Sequence, residues 1–252
     1  MEHKSQFAKL GGEGYSKSSR PINFHSIYLM WIDIVSSVPK YVFKVFRYLK
    51  NLLHFLYWRI FHAYSSKNFF LHVPKTGGSW VKKVIAASNI ECRNYSISDN
   101  AHIGLKDCPC LEKFKFAFVR HPVDLYRSYW QFKMTYGWDR NNPLDMECRS
   151  DSFHKFVRDV LDKFTGVYSK SLIDFVGETN DEIEFIGKYE NLVDDLVFAL
   201  KAAGEICDET FIRTFPVQNV SDKIAFPAVY TDQLENDVRS AESMVIKRFN
   251  YE

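Results

Sequence analysis

Acidic side chains are missing from a long stretch of this chain: none occurs between Asp33 and Glu91. Lys40, Lys44, Arg47, Lys50, Arg59, Lys67, Lys75, Lys82 and Lys83 all fall in that gap, although the net charge of the whole protein is only +2. The near-balanced total gives no ground for a nucleic-acid partner, whereas the local bias points to a surface that seeks anions. A solvated basic face accounts for its more distant members. Cysteine is scarce and scattered, with five residues at Cys92, Cys108, Cys110, Cys148 and Cys207. An odd count makes no disulfide framework, and Cys108-Pro109-Cys110 is too close for a normal metal pair and has no second pair to complete it. No metal is expected. The thiols read as mostly reduced, as in a reducing compartment, with a single disulfide left open.

Long uninterrupted apolar runs are lacking too. Ile22 to Val38 is apolar and aromatic, but it is short for a spanning helix and contains His25 and Asp33. No charged start followed by an apolar core and a small-residue cleavage site is visible. A cytoplasmic location is therefore expected, with association to a membrane surface, in preference to Golgi-type anchoring. No internal repeat stands out.

What is present fits one α/β domain with an appendage: 252 residues, of which 46% are hydrophobic. Residues 1–20 are polar and aperiodic and read as a flexible leader. Residues 21–66 read as an amphipathic and aromatic helical extension, divided by Pro39. In its second piece Lys40, Lys44, Arg47, Asn51 and His54 form one polar stripe, and Phe43, Phe46, Leu49, Leu53, Leu56, Tyr57 and Ile60 fill much of the rest. That pattern suits peripheral contact with a membrane surface through residues 40–64, or packing on a protein core.

Residues 67–252 carry alternating strands and helices. The apolar run Phe69 to Val73 is short enough for one buried strand, and a second is expected over Ile90 to Tyr95. Phe114 to Val119 reads as a third, and Ile183 to Lys188 as a fourth. Helices are expected from Trp80, from Pro122 to a stop near Gly137, over Phe153 to Phe164, Ser169 to Val176 and Asn191 to Ala203, and as one piece over Asp232 to Phe249. Asn141 to Ser150 and Pro216 to Pro227 read as loops. This alternation predicts an α/β, doubly wound, mainly parallel sheet flanked by helices.

The chemistry centres on Pro74-Lys75-Thr76-Gly77-Gly78-Ser79-Trp80, between the first strand and the first helix. The glycines give a turn with no Cβ to obstruct a ligand, and free backbone N–H groups at the helix start face whatever sits there. Lys75 adds a charge; Thr76 and Ser79 add hydroxyls. This is not a Walker A loop, whose lysine follows the last glycine. An ordinary strand-to-helix turn with a solvated lysine is the plain alternative. The string resembles the 5′-phosphosulfate loop of sulfotransferases that use 3′-phosphoadenosine 5′-phosphosulfate (PAPS).

A second string, Phe116-Ala-Phe-Val-Arg120-His-Pro-Val-Asp-Leu-Tyr-Arg-Ser128-Tyr-Trp130, repeats the order of strand, polar residues and helix. Arg120 lies at the carboxyl end of a strand, where open α/β sheets gather ligands, and its guanidinium suits bidentate binding of a phosphate. Taken alone, the pair reads as a capping arginine and a buried serine. The string resembles the 3′-phosphate segment of the same family, in which an arginine and a serine eight positions on share that phosphate. Its form looks most like a small-chain branch related to carbohydrate sulfotransferases. The wider branch has Asp-Arg where this chain has Asp124-Leu125, so no role is carried to Arg127. Lys188-Tyr-Glu-Asn-Leu192 resembles the family's architectural strand-then-helix segment, and Asn219-Val-Ser221 a short loop that reaches toward the nucleotide.

The resemblance covers about residues 68–250 and implies a P-loop-like domain. It implies PAPS as co-substrate held by Pro74, Lys75, Thr76, Gly77, Gly78, Ser79, Trp80, Arg120, Ser128, Asn219 and Ser221, and an acceptor hydroxyl on a carbohydrate or another compound. Lys75 would neutralise charge on the leaving phosphate. His102 is the preferred base, since related carbohydrate enzymes place a histidine between their two nucleotide segments. His121 and His154 are its rivals, with Asp99 and Asp107 nearby, and His72 reads as a satisfied core histidine. Trp130, Tyr136 and Trp138 suit either stacking on a sugar or core packing. Two other classes stay open: a P-loop-like nucleotide kinase or NTPase, which wants a magnesium carboxylate where this chain has Arg120, and a non-catalytic membrane-associated nucleotide-binding module.

Overall fold

The computed structural model describes residues 68–90, 92–93, 102–108, 113–217 and 225–251. The leader, the amphipathic extension, Asn219 and Ser221 lie outside the described residues. Four strands form one sheet in the order β2-β1-β3-β4, with β1 at Asn68–Leu71, β2 at Cys92–Arg93, β3 at Phe114–Val119 and β4 at Phe185–Lys188. Every pairing is parallel. Carboxyl ends therefore share one edge of the sheet, and the loops that follow β1, β3 and β4 emerge side by side. Register sharpens this: Leu71 pairs with Ala117, and Val119 with Lys188.

Side chains of each strand alternate between two apolar layers, as a two-residue period requires. Phe69, Leu71, Ala117 and Val119 face a cluster with Val123, Tyr126, Trp130, Phe156, Leu172, Leu234 and Val245. Phe70, Phe116 and Phe118 face the other way, onto Val81, Val84, Leu196, Leu200 and Ile212. The first layer is closed by α2 (Pro122–Tyr136), α4 (Phe153–Lys163), α5 (Val167–Val176), α8 (Asp232–Ala241) and α9 (Ser243–Arg248). Helices α1 (Gly78–Ala87), α6 (Leu192–Ala202) and α7 (Glu209–Thr214) close the second. A parallel sheet with both faces covered explains why β1 and β3 read as mostly apolar runs, with the buried Lys115 of β3 paired to Glu184 at 2.9 Å. Among the described residues, no helix is long and apolar enough to cross a membrane.

Two segments differ from the sequence expectation. The stretch 141–150, read as a loop, holds helix α3 (Pro143–Cys148). Asn142 starts it by accepting from the N–H groups of Leu144 and Asp145 at 3.0 and 3.4 Å, and Pro143 supplies a preset φ at its first position. The final helix, read as one piece, breaks at Glu242 into α8 and α9. Glu242 is fully buried and accepts from Tyr126 Oη at 2.7 Å, from the N–H groups of Tyr168 and Ser169 at 3.1 and 2.7 Å, and from Ser169 Oγ at 2.6 Å. This carboxylate thus caps the start of α5 and ties it to α2.

Candidate functional site

The loop after β1 turns on two backbone conformations with positive φ, at Lys75 (65°) and Gly77 (83°). Thr76 is buried, and its hydroxyl donates to the Val73 carbonyl at 2.8 Å. Its hydroxyl, expected among the donors to a ligand, instead closes the turn. Gly77 precedes α1 in the left-handed region; no side chain caps that helix, and its first turn holds no acidic residue. The Trp80 and Val81 N–H groups donate to the Gly77 carbonyl at 2.9 and 3.2 Å, which leaves those of Gly78 and Ser79 to meet an anion.

Both glycines are fixed by close neighbours. A Cβ at Gly78 would fall 1.9 Å from His72 Cδ2, and one at Gly77 2.6 Å from Leu192 Cδ2 and 3.1 Å from Tyr189 Cδ2. Trp80, expected near the nucleotide, packs in the core with its ring edge-on to Phe215 at 6.3 Å. Pro74 and Ser79 are half-buried in the turn.

Arg120 follows β3 and reaches back to this loop: its Nη1 donates to the Lys75 carbonyl at 3.2 Å. Its guanidinium lies over the Tyr189 ring at 4.0 Å, and its backbone N–H donates to Tyr168 Oη at 3.0 Å. Nε of Arg120 is buried and makes no hydrogen bond among the described residues. A buried guanidinium N–H without a partner is costly, and a bound anion would satisfy it.

Lys75 Nζ sits 3.9 Å from the centre of the Phe132 ring on α2, with no carboxylate partner among the described residues. Burial, then the charges of Arg120 and Lys133, bring its pKa down to about 8. Ser128 is buried one turn before Phe132 on the same stripe of α2 and makes no hydrogen bond among the described residues. Lys133 is itself held by Asp145 at 2.5 Å; that buried carboxylate also accepts from Tyr129 Oη at 2.5 Å and from the Asp139 N–H at 2.7 Å.

His102 lies two residues before Gly104, which caps the 3-10 turn Leu105–Asp107, and packs on His72 just after β1. Its Nδ1 lies 2.8 Å from the His72 carbonyl, its ring 4.5 Å from the His72 ring and 6.3 Å from Phe175. A carbonyl only accepts, so Nδ1 carries the proton and Nε2 keeps a lone pair. Crowding by these neighbours lowers the pKa of His102, against the carbonyl contact, which raises it; Lys82 lowers it further. The loop is seated on α5, where a Cβ at Gly104 would fall 2.1 Å from the Asp174 carbonyl oxygen and Lys106 pairs with Asp174.

Among the described residues, His121 and His154 have structural attachments, although His121 Nε2 is buried without a partner there. His121 caps α2, accepting from the Val123 N–H at 3.2 Å, while its own N–H donates to Glu190 at 2.8 Å. His154 Nε2 contacts the Val229 carbonyl at 2.7 Å. His72 differs from the sequence reading of a satisfied core histidine, because its Nδ1 is buried without a partner. Burial foremost, then His102 and Lys82, hold its pKa near 3, and it stays neutral. Arg127 spans Asp124 at 2.5 Å and the Ala228 carbonyl at 3.0 Å, a structural brace. Trp130 is core, with Nε1 donating to the Ser150 carbonyl at 3.0 Å, and Trp138 packs on Phe156.

The sheet thus brings Lys75, Gly77, Gly78 and Arg120 around one edge, with His102 beside the same loop and Ser128 one turn before Phe132, the ring that Lys75 meets. Tyr189 and Phe132 join them, and neither was singled out from sequence. The spacing of four between Ser128 and Phe132 is the one signal that carried Phe132. Tyr189 stands in the string Lys188 to Leu192, which reads from sequence as architectural, with no role at the site. No protein-family model matches the chain, and no curated protein matches it significantly.

Proposed function

We propose that this protein is a sulfotransferase that moves a sulfuryl group from PAPS to an acceptor hydroxyl on a carbohydrate, on a P-loop-like fold. The observation that carries the reading is Arg120. Its guanidinium bridges the strand end and the Lys75 loop while its buried Nε stays unpaired among the described residues. Such a fork beside a lysine and an uncapped helix start suits two separate phosphate groups, as a 3′,5′-bisphosphate offers. A magnesium-dependent kinase would want an acidic ligand where β3 delivers this cation.

In this reading the acceptor oxygen forms a bond to sulfur as the bridging oxygen–sulfur bond breaks, and its electron pair stays with the 5′-phosphate. Lys75 neutralises that developing charge and returns toward its ordinary pKa as an anion fills the site. His102 Nε2 takes the acceptor's proton, with Nδ1–H held on the His72 carbonyl to fix the tautomer. Arg120, Ser128 and the first turn of α1 orient the nucleotide.

Calorimetry tests the reading. The desulfated product, 3′-phosphoadenosine 5′-phosphate (PAP), should bind in EDTA, and turnover of PAPS should follow with a panel of glycans, lipids and phenols. Tight binding of magnesium-ATP with no binding of PAP would overturn it.

A further inference from the structure

Two large aromatic rings remain exposed on α2: Phe132, which Lys75 Nζ meets, and Tyr136, which packs on Phe132. Phe132 is 37% and Tyr136 71% exposed, and their centroids are 4.8 Å apart at 41°. Ser128, Phe132 and Tyr136 recur at intervals of four and form one stripe along the helix. The stripe starts at a buried serine in the candidate nucleotide site and ends, about 12 Å on, at an open aromatic edge. Lys75 Nζ rests on the middle ring.

We propose that Phe132 and Tyr136 form the shelf on which the acceptor lies, and that the acceptor is a saccharide whose ring stacks on them. The proposal rests on the sulfuryl-transfer reading of the Lys75–Arg120 site. An acceptor hydroxyl must approach the group held at Lys75, and Arg120 and Ser128 occupy the phosphate side. Among the described residues, the Phe132 side offers the wider exposed aromatic face, because Tyr189 on the other side is 36% exposed and lies under the Arg120 guanidinium while Tyr136 is 71% exposed. Its shape selects the occupant. A small phenol gains affinity by being enclosed on most of its surface. Here one open shelf, with its outer ring mostly in water, covers one face of a ligand. A pyranose suits that: its apolar C–H face lies on the aromatic rings while its hydroxyls stay hydrated.

A separate cavity of about 430 Å³, lined by Trp130, Phe153, His154, Phe226 and neighbouring residues, is a poorer acceptor site. Trp130 lies two residues from both Ser128 and Phe132, on the opposite side of α2 from the stripe. Its polar wall is also engaged, through Trp130 Nε1 to the Ser150 carbonyl and His154 Nε2 to the Val229 carbonyl.

The test uses the full chain saturated with PAP and an array of defined neutral and uronic-acid oligosaccharides. Wild type should bind a restricted set of them. Tyr136→Ala should weaken that binding by about tenfold, and Tyr136→Trp should restore it. The affinity for PAP should stay within about twofold in both, since stacking of the acceptor lies outside the phosphate contacts. Tyr136 is the first choice because Phe132→Ala would also alter the surroundings of Lys75. Binding of PAP with no oligosaccharide bound, or equal binding by Tyr136→Ala, overturns the shelf alone. Sulfation of 2-naphthol or of a tyrosine peptide in place of any glycan replaces its occupant. Failure of PAP to bind overturns the sulfuryl-transfer reading beneath it, and the shelf with it.

Discussion

Arg120 Nη1 donates to the carbonyl of Lys75 at 3.2 Å, so the two motif loops are joined by a hydrogen bond as well as by their shared surroundings. Two cations are thereby held close before any ligand arrives, and the positive φ at Lys75 is part of what aims its carbonyl at the guanidinium. Like charges kept near each other in a half-buried site are costly, and an anion relieves that cost.

Removing the two cations should have different effects. Arg120→Ala should weaken PAP binding by about 1.5–3 kcal/mol through lost charged hydrogen bonds. Lys75→Ala should mainly slow turnover, because its charge matters most as the leaving group develops. Arg120→Lys should not rescue affinity, since an ammonium cannot hold the Lys75 carbonyl and a phosphate in one plane. Calorimetry and single-turnover assays measure both. Equal losses of affinity with unchanged turnover would refute the assignment.

Binding should depend on pH through Lys75. With a pKa near 8 in the free protein, Lys75 is charged below that value and increasingly neutral above it. Affinity for PAP should fall as pH rises past about 8, and complex formation near pH 8.5 should take up protons, visible in two buffers of different ionisation heat. Stability of the free protein should move the other way. Between about 8 and the ordinary lysine value of 10.5 the unfolded chain holds more protons than the native one, so this group makes stability rise with pH. Lys75→Met should flatten both trends.

Gly104 should matter for turnover without touching a substrate. An added Cβ would meet the Asp174 carbonyl oxygen at 2.1 Å and push the 102–108 loop off α5. His102 would then leave the His72 carbonyl. Gly104→Ala should lower turnover toward the level of His102→Ala, roughly 10²–10⁴-fold down, with PAP affinity nearly intact. Full activity in Gly104→Ala would show that this seat does not position the base.

Glu242 should be a stability hot spot that is felt at the site. Glu242→Ala strands four buried donors from Tyr126, Tyr168 and Ser169, at a cost of about 3–5 kcal/mol in urea unfolding. Glu242→Gln keeps one acceptor oxygen and should cost less. Because Tyr168 Oη holds the Arg120 N–H, the weakened variants should also lose PAP affinity under conditions where they remain folded.

Phe114–Val119 was legible to the residue, because its run is apolar and aromatic except at Lys115, too short for a helix, and bounded by Lys113 and Arg120. The stop at Gly137 was equally plain, with a φ of 94° that suits glycine. Helix α3 was missed because turn residues dominate its stretch, although Asn142-Pro143 is a start signal. The break at Glu242 was missed for a different reason. An acidic residue in an amphipathic helix reads as solvated, and only the distant donors of α2 and α5 make its burial favourable. Lys75, Arg120 and Ser128 were chosen through the resemblance of their strings to family motifs; Tyr189 stood in a string read only as architectural, because its contact with Arg120 is created by the pairing of β3 with β4.

That pairing also fixes when the site comes into being. Tyr189 enters after the longest stretch of chain between paired strands, because β3 ends at Val119 and β4 begins at Phe185. Contacts that span such distances form slowly, after local helices have closed. Before β4 docks, Arg120 has no Tyr189 ring beneath it and Gly77 lacks two of the side chains that confine it. On the proposed reading, anion affinity would therefore belong to the finished sheet. In refolding, recovery of PAP binding should lag the return of helical signal. A saturating nucleotide should also act as a clasp on the edge strand, slowing its release and lengthening the lifetime of the native chain against proteases.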